Sequence, residues 1–507
     1  MVCRIGTGAL LGVEVSPVRV EADVSGGLPG FYIVGMGDRA VAESRHRVRA
    51  AIKHSGHSFP DGRLTVNLAP ADLRKDGTAF DLPIAASILL AARGEPVDTS
   101  DLFLAGELAL DGRVRPIPGG ICLAAKAKAM GLSTIILPRA SAHEAAVVEG
   151  IRVLACDHLT DLIAHLSGER ELEEATPRTS TIAPSEPDMA DVRGQKEARR
   201  ALEIAAAGGH NLLLIGPPGT GKTMLARRLP SLLPDLGFEE ALEATTVWSA
   251  AGRLVGGGIL RRPPFRAPHH SVSDAGLIGT ARPPMPGEVT LAHRGVLFLD
   301  ELPEFRRNAL EALREPLEER EIHIRRAQLA VRYPAAFQLV ATMNPCPCGR
   351  YTIANPQRCT CDVEAIRRYR RRVSGPLLDR IDMHVEVPPV GAEDLAGPPG
   401  EPSASIRERV MEARARAAHR LSRFPQMGPS LTNAAIPPGL VRAACKPSRE
   451  AERHLAEIVR GWELSARAFD RLLRVARTIA DLEGKDELGI EDVVRASAYR
   501  TLDQGLS

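Results

Sequence analysis

Aromatic side chains make up only 4% of the 507 residues. That scarcity excludes a nucleic-acid surface built from rows of stacked bases and leaves phosphate contact as the available mode. A dominant charge of one sign is also missing: 65 lysines and arginines face 63 aspartates and glutamates, a net charge of +2. Any polyanion-binding surface must therefore be local. No stretch nears the ~18 apolar residues of a membrane helix; the best run, Ile84 to Ala92, is interrupted by Ser87. The first residues lack a basic segment followed by an apolar core and a cleavage site, so the protein is expected to be cytoplasmic, with no membrane partner. Cysteine is sparse, and in a reducing compartment eight thiols do not make a disulfide framework. Four of the eight nevertheless fall within residues 346–361.

What the chain does contain is a phosphate cradle. Gly216, Pro217, Pro218, Gly219, Thr220, Gly221, Lys222 and Thr223 follow the apolar run Asn211–Ile215 and precede a helix-like Met224–Leu229. A strand ending in a glycine-rich turn that opens a helix leaves several backbone N–H groups pointing into one concavity, where the helix start adds positive potential. In this G-x-x-x-x-G-K-[ST] spacing Lys222 reaches the β- and γ-phosphates of ATP, and the Thr223 hydroxyl ligates its Mg2+. A second apolar run, Gly295–Leu299, ends in Asp300 and Glu301, a Walker B pattern. Asp300 is expected to hold the Mg2+ through water and Glu301 to orient the attacking water. A third run, Phe337–Met343, ends at Asn344.

Other segments carry chemistry of their own. Cys346, Cys348, Cys359 and Cys361 form two C-x-C pairs joined by a loop with Gly349, Asn355 and Pro356; four thiolates suit a structural Zn2+. Glu321–Val331 alternates as a hairpin does and carries Arg325 and Arg326. Arg367 to Arg372 holds five arginines around Tyr369, which suits a solvated face, a subunit interface or a polyanion channel. His269 and His270 are adjacent with no third ligand nearby, which favours a structural or interfacial role over a metal site. After the break Gly397–Pro402, apolar residues from Phe469 to Leu482 recur with helical spacing, and Ile406–Phe424 and Ile490–Tyr499 also read as helices.

These motifs closely resemble the ComM/YifB family of magnesium-chelatase-like AAA+ ATPases, and the resemblance covers nearly the whole chain. It implies an α/β protein with a P-loop AAA+ core, a helix-2 insert (Gly252–Gly258, Pro264–Ser271, Pro286–His293) and a pre-sensor-1 hairpin. An α+β domain resembling the Lon protease (S5 domain 2-like) precedes the core and an all-α lid follows it. The implied boundaries are 1–166, a linker 167–187, the core 188–395 with its four-cysteine loop 346–361, and the lid 396–507. The resemblance further implies that Asn344 is the polar sensor and that Arg380, in Ser374–Asp382, is an arginine finger acting on a neighbouring subunit. Arg467, in Leu464–Arg467, is implied to read the phosphates from the lid. A homo-oligomer, expected to be a hexamer, follows. In the N-terminal domain the Lon likeness rests on Lys75–Asp81 and Gly112–Gly120. Ala79 stands at the nucleophile position, and Ile121 or Cys122 at that of its lysine, so the domain is expected to be catalytically disarmed.

The substrate implied by the family is branched or single-stranded DNA, moved by branch migration during recombination of incoming DNA in natural transformation, with Arg325 and Arg326 on the phosphates. The alternative is a chelatase-type motor that remodels a protein partner for metal insertion. Against that alternative, an N-terminal domain is not expected of a chelatase ATPase subunit. An ATP-dependent protease is opposed by Ala79 and the missing lysine.

Overall fold

In the computed structural model the described residues are all but 1, 36, 74, 95–96, 178–186, 255–257, 282–283, 327–328, 352–355, 428–430, 501 and 503–507. The N-terminal third is built on an eight-stranded mixed sheet. Its strands are β1 (Val2–Leu11), β2 (Glu14–Ser25), β3 (Gly30–Val34), β4 (Arg63–Ala69), β5 (Leu102–Leu104), β8 (Thr134–Pro138), β9 (Arg152–Cys156) and β10 (Glu173–Glu174), ordered β10-β9-β8-β5-β1-β2-β4-β3; β6 (Glu107–Leu108) and β7 (Val114–Arg115) form a separate small hairpin. The helix Asp81–Arg93, buried from Asp81 to Ala91, packs against β1 and β2.

Two sequence expectations change here. Leu11–Val15, which reads as a strand, spans the tight turn between β1 and β2: Leu11 pairs with Glu14, and Gly12 takes φ +68°, a conformation glycine adopts without Cβ strain. Glu173 and Glu174, in the segment read as linker, pair with Ala155 and Leu154 and extend the sheet as β10. Residues 178–186 of that segment lie outside the described residues.

The P-loop half is a second, five-stranded sheet, wholly parallel: β12 (Phe265–Arg266), β15 (Val296–Leu299), β18 (Gln338–Met343), β11 (Leu212–Ile215) and β19 (Met383–Glu386), in that order. β11, β15 and β18 are buried at every position; β11 and β15 are continuous apolar runs, as strands in a covered parallel sheet tend to be. Between β12 and β15 lies the short ribbon β13 (Gly279–Ala281) with β14 (Pro284–Pro286), and between β15 and β18 the expected hairpin, β16 (Glu321–Arg326) with β17 (Leu329–Pro334). The helix Lys196–Gly208 packs against the C-terminal helices Ser403–Leu421 and Ala466–Leu482, and one apolar core runs through both parts. Among the described residues no helix is long and apolar enough to cross a membrane.

Among the described residues, the N-terminal part touches the P-loop half at the β1–β2 turn and around the helix Gly120–Ala129. The β1–β2 turn abuts β17, where a Cβ on Gly12 would stand 2.6 Å from Val331 Cγ1. The helix Gly120–Ala129 packs on the helix Phe238–Ala250 of the P-loop half, with Gly119 N donating to Ser249 O at 2.9 Å.

Candidate active site

Strand register assembles the site. In an open parallel sheet, ligand sites form beyond the C-terminal ends of adjacent strands. Ile215 pairs with Met343, so the residues that follow, Gly216 and Asn344, emerge side by side. Leu299 pairs with Ala341, which places Asp300 beside Thr342. Three motifs scattered over the sequence thereby share one edge.

Lys222 Nζ donates to Gly216 O at 2.7 Å, Pro217 O at 2.9 Å and Asn344 Oδ1 at 3.3 Å. All three acceptors are neutral, and burial draws the Lys222 pKa down, partly offset by the charges of Asp300 and Glu301. A buried ammonium without a bonded anion is costly by several kcal/mol, so the residues present fit a polyphosphate that supplies the missing charge. The loop fits as well: Gly219 and Gly221 take φ +79° and +86°, and a Cβ on Gly219 would meet nothing within 4 Å, so the cradle is open there. At Gly216 a Cβ would lie 2.2 Å from Val387 O, which reserves the position for glycine.

Beside the lysine, Thr223 Oγ1 donates to Asp300 Oδ2 at 2.8 Å, and Thr342 Oγ1 donates to Asp300 Oδ1 at 2.5 Å while accepting Glu301 N at 3.0 Å. Asp300 is fixed from both sides next to the hydroxyl expected to ligate Mg2+. Glu301 adopts φ +56°, an unusual conformation for a non-glycine residue, and its Oε2 lies 3.9 Å from His270 Nδ1. The His269 ring lies against that of His270, centroids 4.0 Å apart and tilted by 36°, so the histidine pair abuts the Walker B glutamate.

Arg380 and Arg467 form a second group. Arg380 Nη2 and Arg467 Nη1 approach the same Glu318 Oε1, at 2.5 and 3.3 Å. Burial acts to raise the Glu318 pKa, but the hydrogen bond from Arg380 and the charges of Arg380 and Arg467 outweigh it and lower the value. Arg471 turns instead to the buried Asp382 at 3.7 Å. The third group is Cys346, Cys348, Cys359 and Cys361, whose sulfurs all lie within 4.8 Å of one another, a set that could hold a metal ion. Of the arginine run, Arg367, Arg368, Arg371 and Arg372 are exposed, while Arg370 is half-buried and bonds to Pro345 O at 3.4 Å. Arg325 and Arg326 end strand β16, but their side chains lie outside the described residues.

Some site residues escaped the sequence reading. Thr342 is a polar residue that interrupts the apolar run Leu339–Met343, and that break was the available signal. Gln195, at φ +49°, bonds Thr220 O at 3.3 Å and Pro388 O at 2.7 Å, tying the P-loop to β19. Asn211 donates to Arg380 O and accepts Leu339 N, at 2.9 and 2.8 Å. Glu318 had no local signal at all.

In the N-terminal part, Ala79 is partly buried at the edge of the apolar cluster that contains Ile121 and Cys122. Cys122 is buried and its thiol is pushed up to about 12, chiefly by burial, far from a nucleophilic thiolate.

A parallel sheet with a P-loop, a Walker B pair and a hairpin between Walker B and the strand that ends at Asn344 defines a P-loop protein of the magnesium-chelatase type. Family models agree: residues 188–395 match "Magnesium chelatase, subunit ChlI", residues 20–141 "Subunit ChlI of Mg-chelatase", and residues 400–500 its C-terminal part. The chain is 44% identical to the YifB protein of Escherichia coli (strain K12) over 503 residues, 99% of this chain and 97% of that one. It is 41% identical to competence protein ComM of Haemophilus influenzae (strain Rd) over 508 residues, 97% and 96% of the two chains. A partial likeness, 29% identity over 163 residues, links it to Lon protease 2 of Bacillus subtilis (strain 168), 31% of this chain and 29% of that one. The chain belongs to the YifB/ComM family of magnesium-chelatase-like proteins, a membership that implies ATPase activity with ATP and Mg2+. Because residues 20–141 themselves match a ChlI model, an N-terminal domain does not by itself separate this chain from chelatase subunits.

Proposed function

We propose that the protein is an ATP-hydrolysing ring motor, a homo-hexamer, that acts on branched or single-stranded DNA as a branch-migration helicase during recombination of incoming strands. The observation that carries the ATPase reading is the buried Lys222 ammonium, bonded only to neutral oxygens and set 3.3 Å from Asn344, beside an Asp300 already fixed against Thr223. Lys222 and the P-loop N–H groups would hold the phosphates, and Thr223 and Asp300 the Mg2+, which supplies charge neutralisation as the phosphoryl group departs. Glu301 would orient the attacking water, and Asn344 would sense the γ-phosphate. Arg380 would act on the neighbouring subunit's nucleotide, and Arg467 would read the phosphates from the lid. The four cysteines would hold Zn2+. With Ala79 at the nucleophile position, the N-terminal part would serve as an assembly or DNA-contacting module rather than a protease.

Support for DNA as the substrate comes from near full-length similarity to a competence protein and from the β16–β17 hairpin, which carries Arg325 and Arg326 at its end. The test is ATPase and strand-exchange assays on four-way and three-strand junctions. Junction DNA is expected to stimulate hydrolysis and to be moved in an ATP-dependent manner. Neutralising both arginines should weaken DNA binding for all sequences and flatten its log–log salt slope by roughly one per lost phosphate contact, leaving basal ATPase intact. The match of all three segments to chelatase-subunit models keeps a second reading in play, a motor that remodels a metal-inserting partner. DNA that neither binds nor stimulates the oligomer would select it.

A further inference from the structure

The four cysteines are arranged as a preformed ligand set. Sγ of Cys346 lies 3.4 Å from that of Cys348 and 3.6 Å from that of Cys359, and the Cys348–Cys359 separation is also 3.6 Å. With Zn–S bonds of about 2.3 Å, the edge of a tetrahedron of sulfurs is about 3.8 Å, so these spacings suit a single ion. Thiolates around an iron–sulfur cluster stand farther apart, because the cluster's own irons and sulfides lie between them. Backbone N–H groups turn toward two of the sulfurs, Tyr351 N to Cys346 and Cys361 N to Cys359, each at 3.4 Å.

What the loop touches gives the ion a role. Asn344, the residue at Lys222, is separated from the fully buried Cys346 by Pro345 alone. Gly349 follows Cys348 directly, closes a turn through its N–H to Cys346 O at 3.0 Å, and takes φ +75°. It lies flat against the P-loop: a Cβ there would stand 2.6 Å from Pro218 Cδ and 2.9 Å from Cγ. The second pair, Cys359 and Cys361, leads into the helix Val363–Arg370, which returns Arg370 to Pro345 O and places its guanidinium over the Tyr351 ring, 5.9 Å from the centroid. The two C-x-C pairs therefore join the sensor strand, the P-loop tip and the helix that leads toward Arg380.

We propose that Zn2+ bound by Cys346, Cys348, Cys359 and Cys361 is the brace of the nucleotide pocket, seating Gly349 on Pro218 and Asn344 on Lys222. This rests on the nucleotide-site reading above. Without the ion, four thiols hold the turn only through weak contacts, and both seats loosen. Nucleotide affinity is then set by the metal content of a loop that does not itself touch phosphate.

The test uses the full chain and two independent readouts, bound zinc by elemental analysis and affinity for a fluorescent ATP analogue. Native protein is expected to carry one zinc per chain. Stripping it with a thiol reagent and chelator, while circular dichroism stays native, should weaken nucleotide binding by roughly tenfold, the worth of one hydrogen bond to a charged group, and added Zn2+ should restore it. Because Cys346→Ser can fail to fold, Gly349→Ala serves as the second variant: it should keep one zinc per chain yet bind nucleotide more weakly, since only the seat on Pro218 is lost. Failure to take up added Zn2+, bound iron in its place, or a folded zinc-free protein with native nucleotide affinity would each overturn the brace. Zinc-loaded protein that binds no nucleotide at all would instead remove the nucleotide-site reading, and the brace with it, while leaving the zinc count standing.

Discussion

Arg380 and Arg467 share a carboxylate, both reaching Glu318 Oε1, although one ends the segment before β19 and the other opens the helix Ala466–Leu482. Arg380 is only 9% exposed, so its guanidinium is held by Glu318 and by Pro376 O, at 2.6 Å, within its own chain. Freeing Arg380 for a neighbour's phosphate requires that the Glu318 contact break. Glu318 is then a holding residue whose loss should favour the released arginine.

Arg380→Ala is expected to lower turnover by on the order of a thousandfold, with nucleotide affinity changed little. Mixed with Lys222→Ala protein it should regain partial activity, because some interfaces then combine an intact P-loop with an intact arginine. Mixed oligomers shown to form without any such recovery would place the arginine's action within its own chain.

Lys222→Ala and Glu301→Gln should separate binding from chemistry. The lysine change removes the one buried cation of the phosphate cradle described above, so titration with nucleotide should show little or no binding. The glutamine keeps the cradle and Asp300, so nucleotide should bind while hydrolysis stops. Equal loss of binding in both would contradict the assigned roles.

Glu144 predicts a pH dependence at the contact between the two halves. Its Oε1 accepts Gly120 N at 2.9 Å and Ser249 Oγ at 3.0 Å, and burial raises its pKa to about 7. A raised carboxyl pKa means the folded state holds a proton that the unfolded state releases near 4.5. Its contribution is thus complete below about pH 4.5 and is lost as pH rises through 7, up to about 3 kcal/mol. Thermal unfolding between pH 4.5 and 7.5 should show this decline, and Glu144→Gln, which cannot ionise, should flatten it. A wild-type profile as flat as that of the variant would exclude the linkage.

Asn211→Ala should destabilise the P-loop half by roughly 1–3 kcal/mol, because Leu339 N loses its acceptor in the middle of the sheet. A denaturant titration read by a P-loop-half probe checks this. The midpoint should fall with an unchanged slope.

The sequence alone determined the parts whose chemistry is local. The P-loop is legible because glycine spacing, a lysine and a hydroxyl within eight consecutive positions must all act on one phosphate chain. Walker B is legible because a buried strand ending in two carboxylates is a short pattern, and the hairpin because alternation shows in a single stretch. The cysteine set was legible as residues, but its closeness to the P-loop was not. Tertiary structure decided what depends on strand order and register: Thr342 beside Asp300, Asn344 beside Lys222, Gly349 on Pro218, and Glu318 between two distant arginines. The β1–β2 turn at Gly12 reads locally as strand, because Leu11, Val13 and Val15 are individually good strand residues and only pairing with a partner reveals a reversal. The physical reason is common to all of these. Periodicity records which face of an element is buried, whereas the choice of neighbour is settled by contacts between residues far apart in the chain, whose combined burial and hydrogen bonding no local window contains.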